Sequence, residues 1–256
     1  TTKYLVDIPT PTAKTGYNTT GTWEPETPTD RTEVTKDETY VFTYGAEART
    51  LKVKYVRDTD LNTEIKTAHT ENTEYNAAYD LTAYKDASIE YEGKNYVLDS
   101  MSGSPISGTV TDNVEVVLVY SLDEIGEEGG SDTIPDKYQV SIVFAASFGN
   151  FDNGSTQTQI IRTLRDENKE VSVDGTYKLK AEDIPNVRAI PGYDQDSKTW
   201  DKEPVDAVIS KAGGVFYVTF GPAMQSYIVQ YIDEDTKEGL QDQQTKDAKY
   251  GTYIKG

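Results

Sequence analysis

The chain has 256 residues, 36% of them hydrophobic, and its 44 Asp and Glu against 25 Lys and Arg give a formal charge of -19. That acidity opposes nucleic acid and anionic membranes, which would repel it. Cysteine is absent, so neither disulfides nor thiolate zinc sites can hold small domains together.

The opening TTKYLVD reads as the interior of a larger protein. No long apolar run, secretion signal or lipidation motif occurs, so the expectation is no membrane insertion. The first recognisable phrase is GYNTTGTWEPETPTD from Gly16, followed by an apolar strand, YVFTYG (40–45). LKVKYV (51–56) alternates as a strand does, with Leu51, Val53 and Tyr55 on one face and Lys52 and Lys54 on the other. TEYNAAYDLTAY (73–84) suits a short helical turn. YEGKNYVLD places Tyr91 and Tyr96 around a glycine-containing turn, and the near-continuous apolar run VEVVLVY predicts a central strand ending at Tyr120.

DEIGEEGGSD (123–132) combines glycines with like charges that discourage collapse and reads as a flexible linker. Beyond it, YQVSIVF puts Tyr138, Val140, Ile142 and Phe144 on one strand face. QTQIIRTLRDE (157–167) spaces Ile160, Ile161 and Leu164 by three and four and predicts a short helix capped by Ser155. GYDQDSKTWDKEPVDA from Gly192 leads to the closing strand VFYVTF. Only Gly221 and Pro222 then separate it from YIVQYIDEDTKEG, which predicts a restrained junction.

Shifted by 176 residues, the chain matches itself. Asp7-Ile8-Pro9 falls on Asp183-Ile184-Pro185, Gly16-Tyr17 on Gly192-Tyr193, and Pro28 and Asp30 on Pro204 and Asp206. Trp23 and Trp200, the whole tryptophan supply, differ by one insertion. YVFTYG lies over FYVTFG, LKVKYV over YIVQYI, and TENTEYNAAY echoes TKDAKYGTY. A long fixed period marks an array, here of two alternating domain types, A and B. The expected division is the end of an A repeat at 1–45, a complete B at 46–122, the linker at 123–133, a complete A at 134–221, and the start of a second B at 222–256. Gly16, Trp23, Pro28, Gly192, Trp200 and Pro204 are expected to be structural: glycine for a turn, Trp for the core edge, Pro for the following turn. An exposed Trp would instead stack on a sugar.

Candidate chemistry is sparse. His69 is the single histidine, which excludes poly-His metal sites, and no nucleophile elbow surrounds Ser100 to Ser107. The glycines match no phosphate-binding loop, and the many acids single out no glycosidase pair. An enzyme is therefore not expected. Asp58 and Asp60, and equivalently Asp233 and Asp235, follow corresponding strands, where hard oxygen ligands would suit Ca2+; polar turn acids are the alternative. A Lys–Asn isopeptide link would also stiffen a cysteine-free domain, but no trio of residues is singled out for it.

LKVKYVRDTDLNTEI with LDSMSGSPISGTVTDNVEVVLVY, and more closely YIVQYIDEDTKEG, resemble the MucBP (mucin-binding protein) repeat of Gram-positive surface proteins. Arg57 departs from the acid usual in that opening. GTWEPETPTDRTEVTKDETYVFTY and its partner ending in FYVTF resemble the internalin B-repeat and related stalk domains. The resemblance implies a β-rich α+β fold of tandem small β-grasp-like domains in an elongated, monomeric array. It also implies an extracellular adhesin attached to a Gram-positive cell wall. Some members bind host mucin glycans or glycoproteins, for which Tyr75, Tyr79, Tyr84, Tyr91 and Tyr96 are the candidate aromatic face. Others only extend an adhesive tip, and the expectation is mainly a non-catalytic stalk.

Overall fold

The computed structural model describes residues 8–29 and 32–255; TTKYLVD, Asp7 of the repeat and Asp30 lie outside them. The chain divides into two compact units between Leu122 and Asp123.

In the first unit, β1 (Tyr17–Glu24) and β2 (Val41–Ala46) form an antiparallel ribbon. Glu47 alone separates β2 from β3 (Ala48–Arg57), which turns back into β4 (Asp60–Glu74). There follow β5 (Ala78–Asp80), β6 (Ser88–Tyr91), β7 (Lys94–Gly103), β8 (Ser107–Thr109) and β9 (Val114–Leu122). The main sheet runs β4-β3-β9-β7-β6, and β5 pairs separately with β8. Within that sheet only β3 and β9 are parallel, so the first and last strands of the module are central neighbours.

The alternation of LKVKYV is the reason for this placement. Leu51, Val53 and Tyr55 are buried with Val114, Val116, Leu118 and Tyr120, while Lys54 on the opposite face meets Glu115 at 3.1 Å. The tyrosines serve as core residues with a polar end. The Tyr55 hydroxyl donates to the Tyr84 carbonyl at 2.9 Å and that of Tyr120 to the Asp86 carbonyl at 2.8 Å, tying the crossover to the sheet. Burial pushes both phenols above their ordinary pKa. Tyr120→Phe is expected to cost about 1–2 kcal/mol, because a buried hydrogen bond is lost and a carbonyl left without its donor; urea unfolding of the two proteins measures it. Of the helical turn expected at 73–84, only the three-residue 3-10 turn Thr82–Tyr84 forms, since β4 extends through Glu74.

The second unit contains β10 (Gln139–Ser147), β11 (Gly149–Phe151), β12 (Gln157–Thr163), β13 (Tyr177–Lys178), β14 (Val187–Ala189), β15 (Thr199–Trp200), β16 (Val208–Ile209), β17 (Gly214–Thr219), β18 (Met224–Val229) and β19 (Gln244–Lys249). Its main sheet runs β12-β10-β17-β15. Again the first and last strands of a module, β10 and β17, are parallel neighbours. Ile142, Phe144, Phe216 and Val218 are buried at the centre of a second core. β11 pairs with β14, β13 with β16 and β18 with β19.

Two expectations are corrected here. Of the segment predicted as a helix at 157–167, Gln157–Thr163 is strand β12, paired antiparallel with β10 from Gln139↔Thr163 to Ala145↔Gln157, and 164–167 are not helical. Three apolar residues are too few to fix a period, and β-branched Thr and Ile suit a strand. Ser155 helps form the preceding turn, its hydroxyl accepting from the Gln157 N–H at 3.1 Å. Nor is DEIGEEGGSD an open, self-repelling linker. Asp123 is buried, and its carboxylate accepts the N–H groups of Asp132 and Thr133, both at 3.0 Å. Asp136 likewise accepts from the N–H groups of Glu124 and Ile125. These acids find backbone donors close by, and local hydrogen bonding outweighs charge repulsion.

The fold is β-rich and dominated by largely antiparallel sheets, consistent with small β-domains in tandem. Helical structure among the described residues consists of 3-10 turns, so the helical share of the α+β expectation is not met. Among those residues no helix is long and apolar enough to cross a membrane.

Candidate functional site

The Gly-Tyr phrase builds the same joint twice. Gly16 has a φ of +83°, and its carbonyl accepts the N–H of Glu47, the residue between β2 and β3, at 2.9 Å. The Glu47 carbonyl accepts the N–H of Tyr75 at 2.9 Å. That places the Tyr75 ring against Gly16, where a Cβ would lie 2.3 Å from it. Tyr17 meets Tyr75 edge-on at 5.4 Å, completing the clasp.

In the second unit Gly192 has a φ of +93° and its carbonyl accepts the Ala223 N–H at 2.9 Å. The Ala223 carbonyl accepts the Tyr250 N–H at 2.8 Å. A Cβ on Gly192 would lie 2.5 Å from the Tyr250 ring, and Tyr193 meets that ring edge-on at 5.8 Å. Glycine alone offers both the left-handed backbone and a surface flat enough for the ring. The clasp spans Gly221 and Pro222, the residues at which a restrained junction is expected. Its tyrosines escaped the sequence reading, which groups Tyr75 with the ligand candidates. The echo of TENTEYNAAY in TKDAKYGTY carried the signal, because Tyr75 and Tyr250 are the aromatics those segments share at the joint.

The tryptophans brace closing strands: Trp23 pairs with Phe42 across β1–β2, and Trp200 with Val218 across β15–β17. Trp200 also meets Phe144 edge-on at 6.0 Å. Pro204 is buried and Pro28 half-buried.

The five candidate tyrosines do not share one exposed face. Tyr96 is buried in the core of the module, with Tyr79, Tyr84 and Tyr91 packed half-buried against it and Tyr75 at the joint. The Tyr79 hydroxyl donates to the Pro105 carbonyl at 3.0 Å, and Tyr84 stacks on His69 at 3.7 Å.

The four candidate aspartates separate by role. Asp60 accepts from the Thr63 hydroxyl at 2.6 Å and the Asn62 N–H at 3.0 Å; Asp233 accepts from the N–H groups of Thr236 at 2.8 Å and Asp235 at 3.0 Å. These hydrogen bonds hold both carboxyls below their ordinary pKa. Asp58 accepts from Ser121 at 2.7 Å, and Asp235 is exposed. Among the described residues no group of three or more His, Cys, Asp or Glu forms a metal cluster.

A buried ionic centre in the second unit is a further group that sequence reasoning missed. One Asp183 oxygen accepts from Arg162 Nε at 2.9 Å and Nη2 at 2.6 Å; the other accepts from the Tyr177 hydroxyl at 2.7 Å and the Lys180 N–H at 2.8 Å. Burial works against the Asp183 charge, yet the donors outweigh it and hold the carboxyl below its ordinary pKa. Burial and that carboxylate push the Tyr177 phenol up to about 12, so it stays a donor at neutral pH. With both carboxylate oxygens engaged by protein groups, the centre ties β12 to β13 and to the 3-10 turn Ala181–Asp183. Nearby, an open hollow of about 920 Å³ is lined by Trp200, Pro204, Arg188 and Lys198, among others.

No protein-family model and no curated protein matches the chain. Among solved structures it is similar to the type 2 repeat of the mucus binding protein MUB from Lactobacillus reuteri, with 13% identity and a TM-score of 0.15. That likeness covers 68% of this chain and 100% of the other. It is also similar to Mub-RV, with 16% identity, a TM-score of 0.16 and the same shares of the two chains.

Proposed function

We propose that the chain is a repeat region of a bacterial cell-surface adhesin, exposed outside a Gram-positive cell wall, and that it acts mainly as a non-catalytic stalk. The observation that carries this reading is the joint: the same glycine, carbonyl relay and tyrosine pair recur at Gly16 and Gly192. Elements that set the attachment of one domain to the next are what a spacer must repeat. The β-grasp-like reading of each module belongs to this proposal and is supported by central, parallel first and last strands.

Direct binding of host mucin glycans is the second reading. The hollow beside Trp200 favours it, since an indole with Arg188 and Lys198 nearby offers a stacking surface and polar groups. The discriminating experiment is binding of the 256-residue protein to immobilised mucin, with and without prior glycan removal, across a range of salt. A stalk is expected to show no saturable, glycan-dependent retention. Saturable binding that vanishes with the glycans and survives moderate salt would overturn the stalk reading.

A further inference from the structure

The two complete modules share a feature that neither adhesion nor spacing by itself requires. In each, the strand by which the chain enters and the strand by which it leaves are hydrogen-bonded neighbours running in the same direction. β3 pairs with β9 from Leu51↔Val114 through Arg57↔Tyr120, and β10 pairs with β17 from Ile142↔Gly214 through Ser147↔Thr219. Chain enters at the Ala48 end of β3 and leaves at the Leu122 end of β9, the opposite pole of the pair. Tension along the chain therefore acts parallel to the strands.

The geometry decides how such a pair fails. In an antiparallel hairpin pulled at its open ends, the ladder opens one bond at a time. In a parallel pair pulled from opposite poles, the evenly spaced bonds of the whole ladder are loaded together. We infer that each module is a shear clamp that resists tension along the chain, the property a surface stalk needs when its tip is held and its base is anchored.

The side chains reinforce the same two strands. Leu51, Val53 and Tyr55 of β3 are buried with Val116, Leu118 and Tyr120 of β9, so sliding one strand past the other also drags their core contacts apart. The Tyr55 and Tyr120 hydroxyls fasten both strands to the crossover at Tyr84 and Asp86. In the other module Phe144 and Phe216 are register partners across the parallel pair, and their rings stack at 5.6 Å. Tension passes directly between domains as well, because Glu47 alone lies between β2 and β3 and is itself held by the joint. By contrast, β18 has β19 as its only strand partner among the described residues, in an antiparallel pair.

The inference takes its biological sense from the stalk reading, but its geometry can be tested separately. The absence of cysteine allows pulling points to be chosen at will in the full 256-residue chain. One variant carries Ala48→Cys with Glu124→Cys and loads β3 and β9 from opposite poles. A second carries Ala48→Cys with Glu74→Cys, register partners at the open end of the β3–β4 hairpin, and peels that hairpin. Matching thermal melts of both variants and the parent establish that each is folded.

In single-molecule pulling, the first geometry is expected to rupture at a force several times that of the second. It should do so in one step releasing about 24 nm, from the extended reach of the chain less its folded span. Equal forces in the two geometries, or stepwise release at low force in the first, would overturn the clamp. Glycan-dependent mucin binding would sink the stalk reading while leaving a direction-dependent rupture force intact, so the two failures are distinguishable.

Discussion

Replacing Asp183 with asparagine is expected to lower the stability of its module by about 3 kcal/mol, because removing one partner of a buried, hydrogen-bonded ion pair strands the other. Asparagine can still accept from Arg162 through its carbonyl oxygen, but its amide would face the Lys180 N–H and the Tyr177 hydroxyl that Asp183 now receives. Arg162 is itself largely enclosed and would keep its charge without a counterion. For a domain of this size the loss corresponds to a melting shift of roughly 15 °C. The control is Asp206→Asn, which removes the pair formed with Lys178 at 2.7 Å, both side chains being well exposed. That exchange is expected to change stability by no more than about 0.5 kcal/mol, as surface pairs do.

The pH dependence gives the same centre a second signature. The folded Asp183 carboxyl lies below its ordinary value of 3.8, so its contribution is complete above that value and is lost as pH falls through the folded pKa. The gap between parent and Asp183→Asn should therefore be widest near neutrality and close in strong acid, below pH 3.8. Urea titrations at a series of pH values check this. A gap that persisted unchanged to the lowest pH would mean that shape rather than charge holds the centre.

The repeat and its strands were legible because their signals are local: LKVKYV alternates, and the alternation survives as buried Leu51, Val53 and Tyr55 between outward lysines. What stayed hidden depends on partners distant in sequence. Ile160 and Ile161 suit a helix or a strand equally well until β10 lies alongside them. The acids of DEIGEEGGSD read as mutual repulsion until Asp123 finds the N–H groups of Asp132 and Thr133. Tyrosine is the hardest case, because a ring that stacks on a sugar and one that fills a core have the same sequence. Tyr96 is a core residue and Tyr75 a joint residue, and only the second carries a trace in the chain, through its echo at Tyr250. Asp183 belongs to the repeated Asp-Ile-Pro phrase, but nothing in the chain links it to Arg162 and Tyr177, since the three come from a 3-10 turn, a strand and a short ladder that only the fold brings together.

Gly192→Val is expected to unfasten the joint while leaving the module core intact. The substitution imposes a left-handed backbone on a branched residue, which costs about 1–2 kcal/mol. It also places a Cβ where the Tyr250 ring now lies, 2.5 Å away, so the ring must leave. Tyr193, which meets Tyr250 on one side and stacks on Phe148 at 4.3 Å on the other, would lose the first contact and keep the second. With roughly 2–3 kcal/mol lost in all, opening of the joint should become about 30- to 140-fold more frequent, at tenfold for each 1.4 kcal/mol. The sensitive reporters are the amides of Ala223 and Tyr250, which donate to the Gly192 and Ala223 carbonyls. Their hydrogen exchange should accelerate by that factor, while amides of the β10–β17 ladder keep the parent rate. Gly213→Val separates the backbone effect from the clasp: Gly213 also has a positive φ, +79°, but the nearest atom to a Cβ there is 3.0 Å away and no tyrosine ring lies on it. Should both substitutions accelerate Ala223 and Tyr250 alike, the ring-on-glycine contact would not be what holds the clasp. Acceleration confined to Gly192→Val would identify the glycine face as the element that holds the Ala223 and Tyr250 segments in place.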